Sequence, residues 1–296
     1  DLCDLQGSEA PTLGSYQTVY TMVSCPDTGG GGSGNVPTGP TDAGAFDGVG
    51  TSPTGGGQLI DSVLVKTPCD YLKELADPNK QKIKPAIDIL KNKLNLNPNK
   101  EWGQDFKMGN NPNDYYSFMH SNYLREGSDN EGTVSTVQGI EWIGSAHIHT
   151  EKGVNIYSFM DVRNLLLSYN ATNAKRRSYV VAMYLGLNNS GLAYPENMTL
   201  YAIKIDDVAL FQQKINAIWD HSDYSNLNEF KKAEKLNKIF YKEIEKYGDN
   251  LIAGFLNTFS NYGISTYKAT NQDLTTWSKL TVGSTPYNVT EQPCNQ

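Results

Sequence analysis

The chain has 296 residues, with 25 basic and 32 acidic side chains and a net charge of −7. That length suits one large or two modest domains with a properly buried core, and the interspersed, net acidic charge argues against a surface built to neutralise nucleic-acid phosphates. The longest strongly apolar run, Tyr179 to Leu187, is far too short to cross a bilayer.

Residues 1–25 form a short leading segment in which Tyr16, Val19, Tyr20 and Val23 alternate only in part. Starting at Asp1, with neither methionine nor an apolar leader, the chain reads as a mature product or a trimmed piece of something longer, from which any export signal would already be gone. Residues 26–58 are rich in Gly, Pro, Ser and Thr and have hardly anything large and apolar to bury. Such a stretch does not repay its ordering entropy and is expected to be a flexible linker. Cysteines stand at positions 3, 25, 69 and 294, without a C-x-x-C pair. An even, widely spaced set points to disulfides and an oxidising, extracytoplasmic compartment. Three pairings are open, and Cys3 with Cys25 and Cys69 with Cys294 are favoured because each pair brackets a compositional unit.

The remaining residues, 59–296, read as one α+β domain of roughly 240 residues, a mixed β-sheet flanked by helices. Ile60–Val65 is extended. Leu72, Leu75, Ile83, Ile87, Leu90 and Leu94 recur at helical spacing, with Asp77-Pro78 as an N-cap and first helical position that divides the run into two helices. Strands are predicted at Trp102–Met108, Asp114–Met119, Gly132–Val137 and Ile140–His149, with Gly109-Asn110-Asn111-Pro112 as a turn. A helix follows from Ser158 to Tyr169, then strands at Tyr179–Leu185 and Met198–Ile205. Asp206 and Asp207 lead into a helix through Val208, Phe211, Ile215, Ile218 and Trp219. Next come a long amphipathic helix with Leu227, Phe230, Leu236, Phe240 and Ile244 on one stripe, and a shorter helix over Leu251–Phe259. Gly263–Thr270 is a late strand, after which Trp277 and Leu280 close the core.

Chemistry concentrates at His147 and His149. Residues i and i+2 of a strand share a face, so both imidazoles can reach one metal ion while Ile148 points away. A bare His-x-His pair is as often ordinary strand surface, but Ser158-x-x-Asp161 at the start of the next helix adds a carboxylate close in sequence. Two imidazoles and a carboxylate suit zinc, with the fourth position left for a reactive water. Ser158 and Asp161 also have the form of a capping arrangement, and a helix N-terminus can hold both roles rigidly. His120 and His221 read as ordinary side chains, His221 closing a helix. Tyr115, Tyr116 and Tyr123 could line a groove, though sheet packing is the commoner use of such residues.

His147-x-His149 followed by Ser158-x-x-Asp161 resembles the signature of the JAMM, or MPN, metallopeptidases, in which a glutamate lies well upstream on an earlier strand. The resemblance covers roughly residues 69–220. This chain has Thr150 where the family has proline, and its eight residues from Thr150 to Tyr157 are one more than the family spacing. Thr67–Leu72, Glu101–Gly103 and Gly263–Thr270 are also similar to segments of uncharacterised, exported JAMM-like proteins of Bacteroidota. The resemblance implies a cytidine-deaminase-like core with a helical C-terminal extension. It further implies zinc held by His147, His149 and Asp161, Glu101 as general base and Ser158 as oxyanion donor, acting on the amide or isopeptide bond of a peptide or protein substrate. Glu126, Glu131 and Glu141 compete with Glu101. Glu126 and Glu131 flank a polar, glycine-rich turn, and Glu141 sits on the histidine strand itself, some 20 Å away at ~3.3 Å per residue. An alternative is a catalytically inactive binding or scaffold module on the same fold. A structural metal site is a third reading, with too few ligands to favour it.

Overall fold

The structure, a computed structural model, describes residues 66–75, 77, 83–97, 100–108, 118–120, 125–126, 136–149, 156–187, 192–270 and 272–294. The leading segment, the linker, the Ile60–Val65 stretch and the Cys3–Cys25 pairing lie outside the described residues. Two helices open the described part, α1 (Pro68–Leu75) and α2 (Ile83–Leu96). Ile83, Ile87, Leu90 and Leu94 of α2 are all buried, as their spacing on one helical face requires.

A nine-stranded sheet follows, built from β1 (Trp102–Met108), β2 (Phe118–His120), β3 (Arg125–Glu126), β4 (Trp142–Ile148), β5 (Val181–Leu187), β6 (Met198–Ile205), β7 (Ile264–Ala269), β8 (Trp277–Val282) and β9 (Val289–Pro293). Its order is β2-β1-β4-β5-β6-β7-β8-β9, with β3 also pairing β1. Among the described residues only β4 and β5 run parallel; the other paired strands are antiparallel. The parallel pair needs a crossover, supplied by α3 (Phe159–Ala171) and a 3₁₀ turn over Ala174–Tyr179. Three more helices, α4 (Val208–Trp219), α5 (Glu229–Glu245) and α6 (Leu251–Thr258), fill the connection from β6 to β7.

Strand alternation divides the core in two. Phe106, Met108, Ala146, Ile148, Val181, Met183 and Leu185 face α1 and α2. Ala182, Tyr184 and Ile203 face the aromatic and aliphatic side chains of α3, α4, α5 and α6, among them Phe159, Phe211, Phe240 and Phe255. Gly144 lets β4 and β5 approach: its φ is +122°, and a Cβ there would lie 1.7 Å from the Val181 carbonyl oxygen. Cys69 of α1 and Cys294, just past β9, form a disulfide with Cα atoms 5.7 Å apart. Among the described residues no helix is long and apolar enough to cross a membrane.

The α+β class and the two opening helices agree with the sequence reading, while several local expectations are corrected. Thr136 and Val137 are not strand; the Val137 amide donates to the Asp105 carboxylate at 3.1 Å, a side-chain partner in place of a ladder. Glu126 ends the short strand β3. Leu227 precedes α5 because the Asn228 side chain caps that helix by accepting from the Lys231 amide, and Phe230 remains exposed. Beyond Trp277 the chain forms an antiparallel hairpin of β8 and β9, which their apolar pattern alone does not announce. Residues 114–117 and 132–135 of two expected strands lie outside the described residues.

Candidate metal centre

Two elements, β4 and α3, bring the predicted ligands together. His147 and His149 stand at the C-terminal end of β4, on the face away from Ala146 and Ile148. Asp161 lies in the first turn of α3, where a capping box fixes it: its amide donates to the Ser158 hydroxyl oxygen at 3.2 Å, and its Oδ2 accepts from the Ser158 amide at 2.7 Å. The crossover thus returns the carboxylate over the histidines. His147 Nε2 is 3.4 Å from Asp161 Oδ1, and His149 Nε2 is 3.7 Å from Oδ2. The two imidazole Nε2 atoms are 2.9 Å apart. One ligand atom from each residue falls within 4.8 Å of the others, so the group could hold a metal ion. Two neutral imidazoles can share such a contact only if one donates its N–H; a cation would satisfy all three side chains at once.

Glu101 immediately precedes β1. The antiparallel register pairs Trp102 with Ile148 and Gly103 with His147, so continuing it by one residue sets Glu101 level with His149 on the same face. Burial pushes its carboxyl up to about 7, His149 opposes that shift, and the neighbouring Asp161 charge adds to it. Asp161 behaves in the opposite way. Burial would raise it, but the charge and hydrogen bonds of His147, then of His149, hold it well below the usual carboxylate range. Of the competing glutamates, Glu126 forms an ion pair with Lys100, Glu141 sits in the turn before β4, and Glu131 lies outside the described residues.

Tyr184 is the neighbour that the sequence reading missed. Its ring centroid lies 4.8 Å from that of His149 and 5.7 Å from that of Tyr157, and it is nearly parallel to Tyr201. Its position opposite His147 depends on the β4–β5 pairing, which sequence spacing does not reveal. Tyr115, Tyr116 and Tyr123 lie outside the described residues. Asp105, two residues along the Glu101 face, is buried and anchors the chain before β4 through Val137. A small cavity of about 10 Å³, bounded in part by Ser145, His147, Asp161, Asn164 and Ser168, lies against the ligands. Leu165, Val181 and Ala182 line it beside these polar groups, and its volume is about that of a single water. His221 has no part in the cluster: it caps the 3₁₀ turn Ser222–Tyr224 by accepting from the Asp223 amide.

Comparison with protein-family models, with curated proteins and with solved structures found no match.

Proposed function

We propose that this protein is a zinc-dependent hydrolase that cleaves a peptide or isopeptide bond in the manner of the JAMM metallopeptidases. One observation carries the reading: two imidazole nitrogens and a carboxylate converge within 4.8 Å, beside a buried glutamate. The geometry fits zinc. Donors at about 2.0–2.1 Å in a tetrahedron are separated by about 3.4 Å; here the two Nε2 atoms are 2.9 Å apart, and His147 and His149 lie 3.4 and 3.7 Å from the two different oxygens of Asp161. Three protein ligands leave a fourth position open, the pattern of a catalytic rather than a structural site.

Zinc bound there would bring the pKa of a coordinated water toward neutrality and polarise the scissile carbonyl. His147 and His149 serve as neutral ligands, and the negative Asp161 favours a divalent cation. Glu101 accepts a proton from the attacking water and delivers it to the leaving amine, a role suited to a carboxyl poised near neutrality. Ser158 donates its hydroxyl proton to the developing oxyanion while its oxygen continues to cap α3. The Cys69–Cys294 disulfide supports an extracytoplasmic address for this activity.

Elemental analysis of the full chain tests the reading most directly. One zinc per chain is expected, lost in His149→Ala. Glu101→Gln is expected to retain zinc while cleavage of a mixed peptide library falls by about 10²-fold or more. Absence of stoichiometric zinc from both wild type and His149→Ala would sink the hydrolase. Zinc binding with undiminished cleavage by Glu101→Gln would remove Glu101 from the mechanism.

A further inference from the structure

Tyr184 lies along its own strand rather than standing away from the sheet. A Cβ built at Gly186 would fall 2.2 Å from the Tyr184 hydroxyl oxygen and 2.7 Å from its Cζ, so the phenol extends over the bare backbone of Gly186. Even alanine would displace it. The parallel register pairs His147 with Tyr184 and Ile148 with Leu185, and one further step sets Gly186 level with His149. On the other side of β4, Glu101 occupies that same level. The hydroxyl is therefore delivered to the row containing Glu101 and His149, at the end of the sheet where Asp161 returns. The ring holds this course between His149 at 4.8 Å and Tyr157 at 5.7 Å, with Tyr201 stacked beyond.

A tyrosine needed only to fill the core would have no use for a glycine beneath its hydroxyl. Packing is met by the ring, whereas the Gly186 gap accommodates the polar tip, which is the part able to donate a hydrogen bond. Ser158 caps α3 through the Asp161 amide, and on the reading above its hydroxyl is the first donor to a bound oxygen; the Tyr184 hydroxyl would add a second.

We propose that the Tyr184 hydroxyl is a second hydrogen-bond donor of the metal centre, seated over Gly186 to bind the carbonyl oxygen or oxyanion of a metal-bound substrate. This rests on the metal-centre reading above and extends it to recognition of an oxygen ligand. The prediction separates metal binding from ligand binding, because on this reading the ligand atoms come from His147, His149 and Asp161 and not from Tyr184.

The test uses the full chain loaded with Co(II), whose visible absorption reports on the ligand sphere, titrated with acetohydroxamate as an anionic oxygen ligand. Tyr184→Phe keeps the ring and removes only the donor. Cobalt affinity is expected to be unchanged while acetohydroxamate binds about 10-fold more weakly, the effect of losing one hydrogen bond to a charged acceptor. Gly186→Ala, which displaces the hydroxyl without deleting it, is expected to weaken the same binding and provides a second route to the result. Unchanged acetohydroxamate affinity in Tyr184→Phe, with normal cobalt binding, overturns this proposal and leaves the metal centre standing. Failure of the wild-type chain to take up cobalt overturns the metal centre and this proposal together.

Discussion

Both faces of the sheet bury charged side chains, but they treat them differently. On the α1 and α2 face, Lys204 of β6 is 3% exposed; it donates to the Ser178 and Val180 carbonyls at 2.6 and 3.1 Å and lies 5.5 Å from the Tyr71 ring. Its donors end on acceptors, and the arrangement is closed. On the other face, two imidazole nitrogens meet at 2.9 Å with a carboxylate beside them and a second carboxyl at their level. Here ligand atoms of three side chains converge, an arrangement that could hold a metal ion. Buried charge alone therefore does not set the two faces apart; the convergence of ligand atoms from His147, His149 and Asp161 does.

The largest stability effect is expected on the closed face. The Cys69–Cys294 disulfide spans 225 residues of sequence and ties α1 to the end of β9. By loop-closure entropy, a crosslink over that separation stabilises by about 5 kcal/mol, less where the unfolded chain keeps structure. Replacing both cysteines with serine is expected to lower the unfolding free energy by about 3–5 kcal/mol in denaturant titration, with zinc stoichiometry retained. Loss of zinc alongside stability would show that the faces are mechanically one, contrary to their separate cores.

A smaller contrast is expected in pH dependence, with opposite signs on the two faces. Glu101 is raised by burial to about 7, so in metal-free protein the folded state holds the proton more tightly than the unfolded chain. Its contribution is present below the unfolded pKa and is lost as pH rises through about 7, a change of about 3 kcal/mol at most. Glu101→Gln removes that decline. Lys204 is lowered by burial to about 7, against a small opposing effect from Asp206. Above pH 7 the unfolded chain binds the extra proton, so stability rises until the unfolded lysine itself titrates. Thermal melts of metal-free wild type, Glu101→Gln and Lys204→Met across pH 5–10 check both signs. Retention of the alkaline rise in Lys204→Met would assign it to another group.

How much of this contrast the sequence reveals depends on the range of the interaction concerned. Ser158, Asp161 and the two histidines are legible because their geometry is local: strand alternation sets His147 beside His149, and helix capping sets Asp161 over Ser158. The helix stripes of α2 and α5 are legible for the same reason, apart from Leu227 and Phe230, where the Asn228 cap overrides the apolar pattern. Tyr184 and Lys204 are not legible. Each acquires its meaning from strand pairing between distant segments, β4 with β5 and β6 with its neighbours, and no periodicity in a single strand encodes its partner.

Ser158 gives the finest comparison, because one side chain serves both structure and the proposed chemistry. Its hydroxyl oxygen accepts from the Asp161 amide, so Ser158→Ala is expected to cost about 1 kcal/mol, the ordinary loss of an N-cap. The other half of the box, from the Ser158 amide to Asp161 Oδ2 at 2.7 Å, uses backbone and survives the substitution. Asp161 stays anchored, and zinc binding is expected to persist. Ser158→Gly removes the same hydroxyl but costs only a few tenths of a kcal/mol, since glycine is tolerated at an N-cap. If the hydroxyl only caps the helix, hydrolysis should follow stability, and the glycine variant should be nearly as active as wild type. If it also donates to the oxyanion, both variants should lose about 10²-fold or more in kcat despite their different stabilities. Measuring kcat beside the melting curves of the two variants decides between a cap and a cap that also serves the reaction.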